Sequence, residues 1–547
     1  MTGAAGLPRQ IYYARLRHDP VFLAALSLTP TVAGAAEWQY SVPAEGSATR
    51  RAYLWVPPDC RHLRGLLVGL QNMLEKPMFE DPEIRRACAD SGLGIVWVAP
   101  LTENNQEKLN QKIGPEAWPA LRQMLADLAG ESGYSEITNA PLLPVAHSAA
   151  TPFVWGMDNL GAARIIAILP FKGWFTGHIA PGVPALHVSS EYGEVGGTNW
   201  GETYLNDHKE VLRLRGDGES RLIGEFTDIG AGHFEWNPEA APVIAMFIRK
   251  AVAARVPAVA APDRPVELKT VDPKSGWLLD PAKLGDKNNR PVAYANWHGD
   301  PTKALWYFDE EMARAVNDYM AAGLAKKPQV IDFVEDGKPA PLVQGGMAQL
   351  HPRFLADGVT FAVEAAALDK SPIQKLYGGA AVGHAPGPVQ FRVSTGALKQ
   401  TGSNTFRVWL GRGGVERQAA PWEPWIMAWQ PGNQDYRRAD RPGHPWVSVV
   451  NKGGQPQAIS FPKIENQKAG AKTLRLKAAS SSNLPAQFFV VSGPAEMKDD
   501  NTLEFLPVPP RGKFPARVIV GAYQWGRTVE PKLQSAGPVF QEFWIEK

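Results

Sequence analysis

The chain has 547 residues, which at roughly 150 residues per domain predicts three to four domains, or two if one of them is large. Hydrophobic residues make up 44% of the sequence and charged residues 20%, proportions that exclude wholesale disorder. Lys and Arg (57) nearly balance Asp and Glu (55), and no basic cluster occurs, so a dedicated nucleic-acid binder is also excluded.

The first 36 residues have the pattern of an export signal. Three arginines form a positive segment, the apolar stretch 21–28 follows, and the small residues 33–36 allow cleavage before Glu37. We therefore expect a secreted or periplasmic protein; a buried N-terminal helix is the alternative. No apolar run reaches the roughly 18 residues of a membrane span, so we expect no integral membrane segment.

Residues 37–260 alternate apolar strands with helical stretches. This pattern predicts an α/β domain with a mainly parallel sheet and helices on both faces. The predicted strands are Arg51–Val56, Gly65–Leu70, Gly94–Ala99, Leu142–Ala146, Ile165–Leu169, Ala185–Ser189 and Arg221–Thr227. The predicted helices are Pro82–Ser91, Trp118–Gly133, Thr151–Leu160, Trp200–Arg215 and Pro238–Ala254.

The second half of the chain has a different composition. A Pro- and Ala-rich linker, Val256–Pro265, precedes a β-rich middle region over 261–455 and a β-sandwich over 456–547. The middle region contains one amphipathic helix, Lys303–Ala322. The predicted strands are Gln390–Ser394, Asn404–Gly411, Trp446–Asn451, Thr473–Ala478, Gln487–Val491, Thr502–Phe505, Ala516–Ala522 and Gln541–Ile545.

Cysteines, histidines and glycines restrict the chemistry. The chain has only two cysteines, Cys60 and Cys88, which excludes a disulfide scaffold and a multi-cysteine metal cluster. The two residues could form one disulfide or could be two free thiols. No histidine pair has the helical spacing of a zinc site, so we expect no catalytic metal. The glycine clusters do not form a dinucleotide fingerprint, so we expect no cofactor.

Three segments of the first domain carry candidate catalytic residues. In the first, an apolar strand runs into the small residues Ala146-His147-Ser148-Ala149-Ala150 and then into a helix. A nucleophilic serine needs such a strand–turn–helix, because the sharp turn exposes its Oγ and the helix start directs N–H groups at an oxyanion. The second segment ends a strand with two carboxylates, Glu191 and Glu194, and the third is a Gly-rich loop that contains His233.

With these three segments in this order, the domain resembles an α/β-hydrolase of the serine-esterase kind, similar to secreted polyhydroxybutyrate-depolymerase-like and feruloyl-esterase-like enzymes. The family's G-x-S-x-G pattern has alanine here in place of both glycines. The resemblance implies Ser148 as nucleophile, His233 as general base and a carboxylate that orients the imidazole. It favours Glu194 as this acid over Glu191, with Asp228 as a third choice.

Further site residues follow from this arrangement. The oxyanion hole should combine the Ala149 N–H with an N–H of the loop after strand Gly65–Leu70, where Asn72 and Met73 are the candidates. Lys172 and Trp174 follow a strand at the edge of the sheet where ligands bind, so we expect them to line the substrate pocket. His147 and His187 are interpreted as packing residues beside the site.

The C-terminal residues 456–547 resemble bacterial immunoglobulin-like domains, on stretches that include Ile459–Pro462, Pro485–Ala495 and Leu503–Phe505. Such modules imply contact with carbohydrate or with a surface. The Trp- and Pro-rich segment Pro421–Gln430 has two interpretations, a platform for sugar or aromatic rings and ordinary sandwich core, and we favour the core.

Together these features predict an exported serine carboxylesterase that needs no cofactor. Exported multidomain esterases usually act on polymers, so the expected substrate is an ester-decorated polysaccharide or a phenolic ester. A polyester depolymerase is the first alternative. An inactive binding or scaffold protein, suggested by the two alanines of the serine turn, and an acyltransferase are the others.

Overall fold

The computed structural model describes residues 36–45, 47, 50–100, 117–173, 179–192, 200–258, 264–343, 347–367, 382–412 and 424–547. The predicted signal peptide, residues 1–36, lies outside these ranges apart from Ala36. Glu194 and Trp174, two of the predicted site residues, also lie outside them.

An eight-stranded sheet forms the centre of the first part of the chain. Its strands stand in the order β1-β2-β4-β3-β5-β6-β7-β8; β1 and β2 are antiparallel to their neighbours and the others are parallel. Every residue of β3, β5 and β8 is buried, as in a parallel sheet covered on both faces. The strands are β1 Tyr40–Pro43, β2 Arg51–Trp55, β3 Gly65–Leu70, β4 Leu93–Ala99, β5 Leu142–His147, β6 Leu169–Phe171, β7 Ala185–Tyr192 and β8 Ile223–Gly232.

Helices connect these strands and pack against the sheet. They are α1 Glu75–Phe79, α2 Pro82–Ser91, α3 Ala117–Ser132, α4 Thr151–Asp158, α5 Trp200–Gly216 and α6 Ala241–Arg255. Local sequence sets the ends of α2: the Asp81 side chain accepts from the N–H groups of Glu83 and Ile84, and Gly92 ends the helix with φ of 68°. The predicted α/β class of this part is therefore confirmed.

A short segment after the linker extends the core of this sheet. Strands β9 Trp277–Leu279, β10 Val292–Ala293 and β11 Leu305–Tyr307 form a small sheet, and helix α7 Glu310–Leu324 follows. Buried residues of β11 and α7 belong to the same hydrophobic cluster as the eight-stranded sheet. The segment therefore packs on the α/β unit, residues 36–258, although the sequence placed it in the β-rich middle region.

The rest of the chain, which we call the β region (residues 327–547), consists of short strands in several sheets. Its first strands are β12 Ile331–Glu335, β13 Lys338–Pro339, β14 Leu342–Val343, β15 Met347–Gln349, β16 Thr360–Ala362, β17 Ala365–Ala367, β18 Gln390–Thr395, β19 Leu398–Gln400, β20 Thr405–Val408, β21 Trp425–Gln430 and β22 Ala439–His444. The largest sheet among them has the order β14-β15-β22-β21-β18.

The last ninety residues form further sheets around a separate core. The order β24-β31-β30-β27 makes one sheet and β25-β29-β28 another, which agrees with the predicted all-β class. The strands are β23 Ile459–Ser460, β24 Gln467–Lys468, β25 Thr473–Arg475, β26 Ala479–Ser480, β27 Gln487–Ser492, β28 Ala495–Met497, β29 Thr502–Phe505, β30 Ala516–Gln524 and β31 Ala536–Glu546.

Three predicted elements differ from the structure. The strand predicted at Ile165–Leu169 starts only at Leu169, because Ile165 still bonds back to the turn at Gly161. The helix predicted from Lys303 starts at Glu310, since residues 305–307 pair with β9. The segment predicted as a strand, Trp446–Asn451, is irregular, with backbone N–H groups bonded to serine side chains instead of a neighbouring strand.

Two general features complete the fold. Cys60 and Cys88 are free thiols, and burial raises the pKa of Cys60 to about 11 and that of Cys88 to about 12. Among the residues that the structure describes, no helix combines the length and the apolar character needed to cross a membrane.

Candidate active site

Ser148 lies in a strained turn between β5 and α4. Its φ is 51°, in the left-handed region that a residue with a Cβ rarely adopts, and it begins a short 3-10 turn, Ser148–Ala150, that leads into the helix. The Thr151 hydroxyl donates to the Ser148 carbonyl at 2.7 Å and fixes the turn. This is the backbone geometry that presents a serine Oγ at the end of a strand.

Small residues allow the turn to close. Ala146 and Ala150, which replace the two glycines of the family pattern, are fully buried, so their methyl groups fit the packing. The close approach is made by Gly173 instead: a Cβ there would lie 2.4 Å from Thr151 Cγ2 and 2.9 Å from Ser148 Cα. The alanines therefore do not prevent the serine turn in this chain.

His233 meets Ser148 from the loop after β8. Its Nε2 lies 2.8 Å from Ser148 Oγ, within hydrogen-bond distance for proton transfer. Both residues are more than nine-tenths buried. Two side chains that are 85 positions apart in the sequence thus lie within hydrogen-bond distance of each other.

His147, the last residue of β5, supports His233. The two rings lie 4.7 Å apart, and His147 Nε2 is 2.9 Å from the His233 carbonyl oxygen. Asn72 Nδ2 lies 3.2 Å from His147 Nδ1, so both contacts fit a neutral imidazole protonated at Nε2. Burial holds the pKa of His147 well below its ordinary value, which agrees with the neutral form. Its predicted role beside the site fits these contacts.

Glu75 is a buried carboxylate that the sequence analysis missed. Its Oε2 accepts the N–H groups of Asn72 at 2.8 Å and Met73 at 3.1 Å, and its Oε1 accepts the N–H of His147 at 2.7 Å. Burial raises the pKa of Glu75 to about 7, although the three hydrogen bonds act to lower this pKa. The N–H groups expected in the oxyanion hole from this loop are thus directed at Glu75, and Ala149, next to Ser148, is the other expected donor.

Two of the candidate acids, Glu191 and Asp228, form contacts with other parts of the protein. Glu191 forms an ion pair with Arg437, and its Oε2 accepts the Gly230 N–H at 2.8 Å. Asp228 is fully buried and accepts from Tyr319 at 2.7 Å and, among other groups, from Lys172. The favoured acid, Glu194, lies outside the described residues.

Lys172 has a different position from the one expected. Its side chain is fully buried, and its Nζ donates to Asp228 Oδ2 at 3.0 Å, to the Gly232 carbonyl at 3.0 Å and to the Glu235 carbonyl at 2.7 Å. An ammonium with its three protons so engaged does not face a substrate pocket. Lys172 instead ties β6 to the loop that carries His233. Trp174, the second expected pocket residue, lies outside the described residues.

Aromatic rings connect the histidine loop with the β region. Phe234 stacks on Trp425 with ring centres 5.3 Å apart, and Trp425 stacks on His444 at 4.7 Å. Trp425 is 5% exposed. The described part of the Pro421–Gln430 segment is therefore strand and core, the interpretation that the sequence favoured, while residues 421–423 lie outside the described ranges.

The last predictions for the site concern His187 and a catalytic metal. His187 is buried in β7, and burial lowers its pKa to about 3. Within the described ranges, no group of three His, Cys, Asp or Glu side chains could hold a metal ion.

Comparisons with solved structures find proteins that are similar to this chain over about 40% of its length. Esterase PE8 is 15% identical, with 40% of this chain and 100% of that chain covered and a TM-score of 0.27. A soluble variant of monoglyceride lipase from Saccharomyces cerevisiae is 11% identical, with 40% and 96% covered and a TM-score of 0.29. An S-formylglutathione hydrolase from Staphylococcus aureus is 10% identical, with 40% and 98% covered and a TM-score of 0.28.

No protein-family model matches the chain, and the search of curated proteins finds no significant relative. The fold is therefore assigned from the strand order and from the positions of the serine turn and the histidine loop. The strand order β1-β2-β4-β3-β5-β6-β7-β8, the turn at Ser148 after β5 and the histidine loop after β8 are the arrangement of an α/β-hydrolase. The first part of this chain has the α/β-hydrolase fold.

Proposed function

We propose that this chain is an exported serine carboxylesterase that uses Ser148, His233 and Glu194, with Glu191 as the alternate acid. The observation that carries the proposal is the 2.8 Å distance between His233 Nε2 and Ser148 Oγ, at a serine held with φ of 51°. A merely structural serine would not need a strained turn that directs its hydroxyl at a buried imidazole.

The chemistry follows from these positions. Ser148 Oγ attacks the ester carbonyl while His233 Nε2 takes the hydroxyl proton, and the negative oxygen that forms is stabilised by the Ala149 N–H at the helix start. His233 then gives the proton to the leaving alcohol, and an acyl-enzyme remains. Water, activated by the same imidazole, releases the acid and restores the serine.

Hydrolysis of p-nitrophenyl acetate, butyrate and octanoate tests this proposal. We expect Ser148→Ala to lower kcat about a thousandfold or more, because no other group forms the acyl-enzyme. Ser189→Ala is the matched control, since Ser189 is an equally buried serine whose hydroxyl bonds Thr227 at 3.0 Å. Equal rates for the wild-type and Ser148→Ala proteins would remove Ser148 from the mechanism.

Labelling with a fluorophosphonate distinguishes an enzyme from a scaffold. We expect one label per chain, on Ser148, in the wild-type protein and none in Ser148→Ala. An unlabelled wild-type protein that also hydrolyses no ester would contradict the enzyme and support an inactive binding protein.

The proposed substrate is an ester-decorated polysaccharide or a phenolic ester. We further propose residues 456–547 as an immunoglobulin-like module for contact with carbohydrate or a surface, supported by a four-stranded and a three-stranded sheet that contribute to one core. Release of acetate or ferulate from plant cell-wall material would support this substrate class. Release of hydroxy acids from a polyester film would assign a depolymerase instead.

A further inference from the structure

The loop that carries His233 is held by charged groups from two directions. Gly232 comes directly before His233, and its carbonyl oxygen accepts from Lys172 Nζ at 3.0 Å. Its N–H donates to the Asp440 carboxylate, at 2.9 Å from Oδ2 and 3.1 Å from Oδ1. Lys172 belongs to the α/β unit, whereas Asp440 lies on β22 of the β region. The two peptide groups that flank Gly232 are thus fixed by a cation on one side and an anion on the other.

Neighbours of Asp440 fix the rest of the same loop. Arg438 forms an ion pair with Glu235 and donates to Asn237 Oδ1 at 2.9 Å. The Arg438 carbonyl lies so close to Gly230 that a Cβ there would be 2.6 Å from the oxygen. Gly230 has φ of 80°, so the loop both requires glycine at this point and packs directly on the β region.

Two further contacts come from β18 of the same sheet. Arg392 donates to the Trp236 carbonyl at 2.5 Å, and the Ser394 hydroxyl donates to the Phe234 carbonyl at 3.3 Å. Together with Asp440 and Arg438, these residues hold the loop on both sides of His233. The α/β unit alone supplies only part of the support of its own catalytic histidine.

We propose that Asp440 is a positioning residue for His233, so that the β region completes the active site instead of serving as a detachable accessory. Asp440 does not touch Ser148 or the substrate; it acts through the Gly232 N–H. A carboxylate bond to a backbone N–H is charge-assisted and strong. Its loss would free the peptide between Ala231 and Gly232 to rotate and would lengthen the Nε2–Oγ distance. The inference rests on the proposed esterase function.

Kinetics of full-length Asp440 variants test the inference. We expect Asp440→Ala to lower kcat about a hundredfold with KM changed by less than about twofold, because the base is misplaced while the substrate pocket is kept. The rate of fluorophosphonate labelling should fall by the same factor. Asp440→Asn keeps an oxygen that accepts the Gly232 N–H, so it should recover at least about half of the lost factor on a logarithmic scale.

Asp332→Ala supplies the matched control. Asp332 is a fully buried acid of the β region that pairs at 3.0 Å with Arg441, the residue after Asp440, on the other face of β22. We expect it to lower the melting temperature as much as Asp440→Ala does, with kcat within about twofold of wild type. Equal kcat losses in both variants would show a general structural effect and overturn the inference.

Two other outcomes separate the inference from the proposed function. Full kcat in a folded Asp440→Ala protein, with the Ser148→Ala protein inactive, would overturn the role of Asp440 and leave the esterase intact. A wild-type protein that neither hydrolyses esters nor reacts with a fluorophosphonate would overturn both.

Discussion

The α/β unit and the β region are built differently. One hydrophobic cluster extends from β1 through the eight-stranded sheet of the α/β unit and on to α7, which packs against this unit. In the β region the buried residues separate into distinct clusters. One lies mainly among β12–β22 and includes residues of β27 and β30, and the other lies among β23–β31. One continuous core can hold a strained serine turn, while several small cores leave surfaces that must be covered by neighbours.

The contact between the two regions is polar where the site lies. Arg437 of the β region pairs with Glu191 of β7, and Arg438 and Asp440 bond the loop that carries His233. Buried ion pairs cost desolvation energy and return it only with good geometry, so they serve orientation more than stability. We therefore expect buried charge pairs at the site to affect both stability and activity, and those away from it to affect stability alone.

The largest expected effect comes from Lys172→Met. This change leaves Asp228 buried without its cation and frees the Gly232 and Glu235 carbonyls, which should cost about 3–5 kcal/mol of unfolding free energy. We also expect kcat to fall at least about a hundredfold, because the loop before His233 loses its anchor. Urea unfolding and ester hydrolysis at a temperature where the variant is folded measure both effects.

Arg441→Met is the counterpart in the β region, where it breaks the buried pair with Asp332. We expect a similar loss of unfolding free energy but kcat within about twofold of wild type. If Arg441→Met lowered kcat as strongly as Lys172→Met, the distinction between the two regions would fail.

Glu75 predicts a pH dependence of stability. An unfolded Glu75 has a pKa near 4.5, and burial raises it to about 7 in the folded protein, so the folded state binds more protons between these values. The unfolding free energy should therefore fall by roughly 3 kcal/mol as the pH rises through this window, and not further above it.

Urea unfolding of the wild-type and Glu75→Gln proteins at pH 4, 5.5, 7 and 8.5 isolates this contribution. The wild-type protein should lose roughly 3 kcal/mol more than the variant over this series. Parallel pH curves for the two proteins would show that Glu75 keeps the same pKa on folding.

The smallest expected effect concerns the aromatic contact between the regions. Trp425→Leu removes the rings stacked on Phe234 and His444 and should cost about 2 kcal/mol of unfolding free energy, with kcat about tenfold lower because Phe234 follows His233. Trp525→Leu is the control: Trp525 stacks on Phe354 inside the β region, with centres 5.5 Å apart. It should lose similar stability and keep its kcat; a kcat loss in both would remove the special role of Trp425.

Local pattern sufficed for most of the α/β unit. Predicted and observed bounds agree at Pro82–Ser91 and Gly65–Leu70, because continuous apolar runs and helix caps act over a few residues. In the β region the strand β22 was missed. Strand β22, Ala439–His444, contains Asp, Arg, Pro and His, and only pairing with β21 and β15 makes it a buried strand.

Some features of the candidate site could likewise be predicted from local sequence, and others depend on tertiary contacts. The serine turn and the histidine loop can be recognised as candidates in the sequence, because each is a local pattern of small residues around one reactive side chain. Their order along the chain connects them. Tertiary structure alone decided that Lys172 is buried, that Glu75 holds the loop of Asn72 and Met73, and that Asp440 reaches Gly232. These partners are separated by up to 208 positions, and a contact between distant residues leaves no periodicity or motif in the chain, since it depends on how the two regions pack.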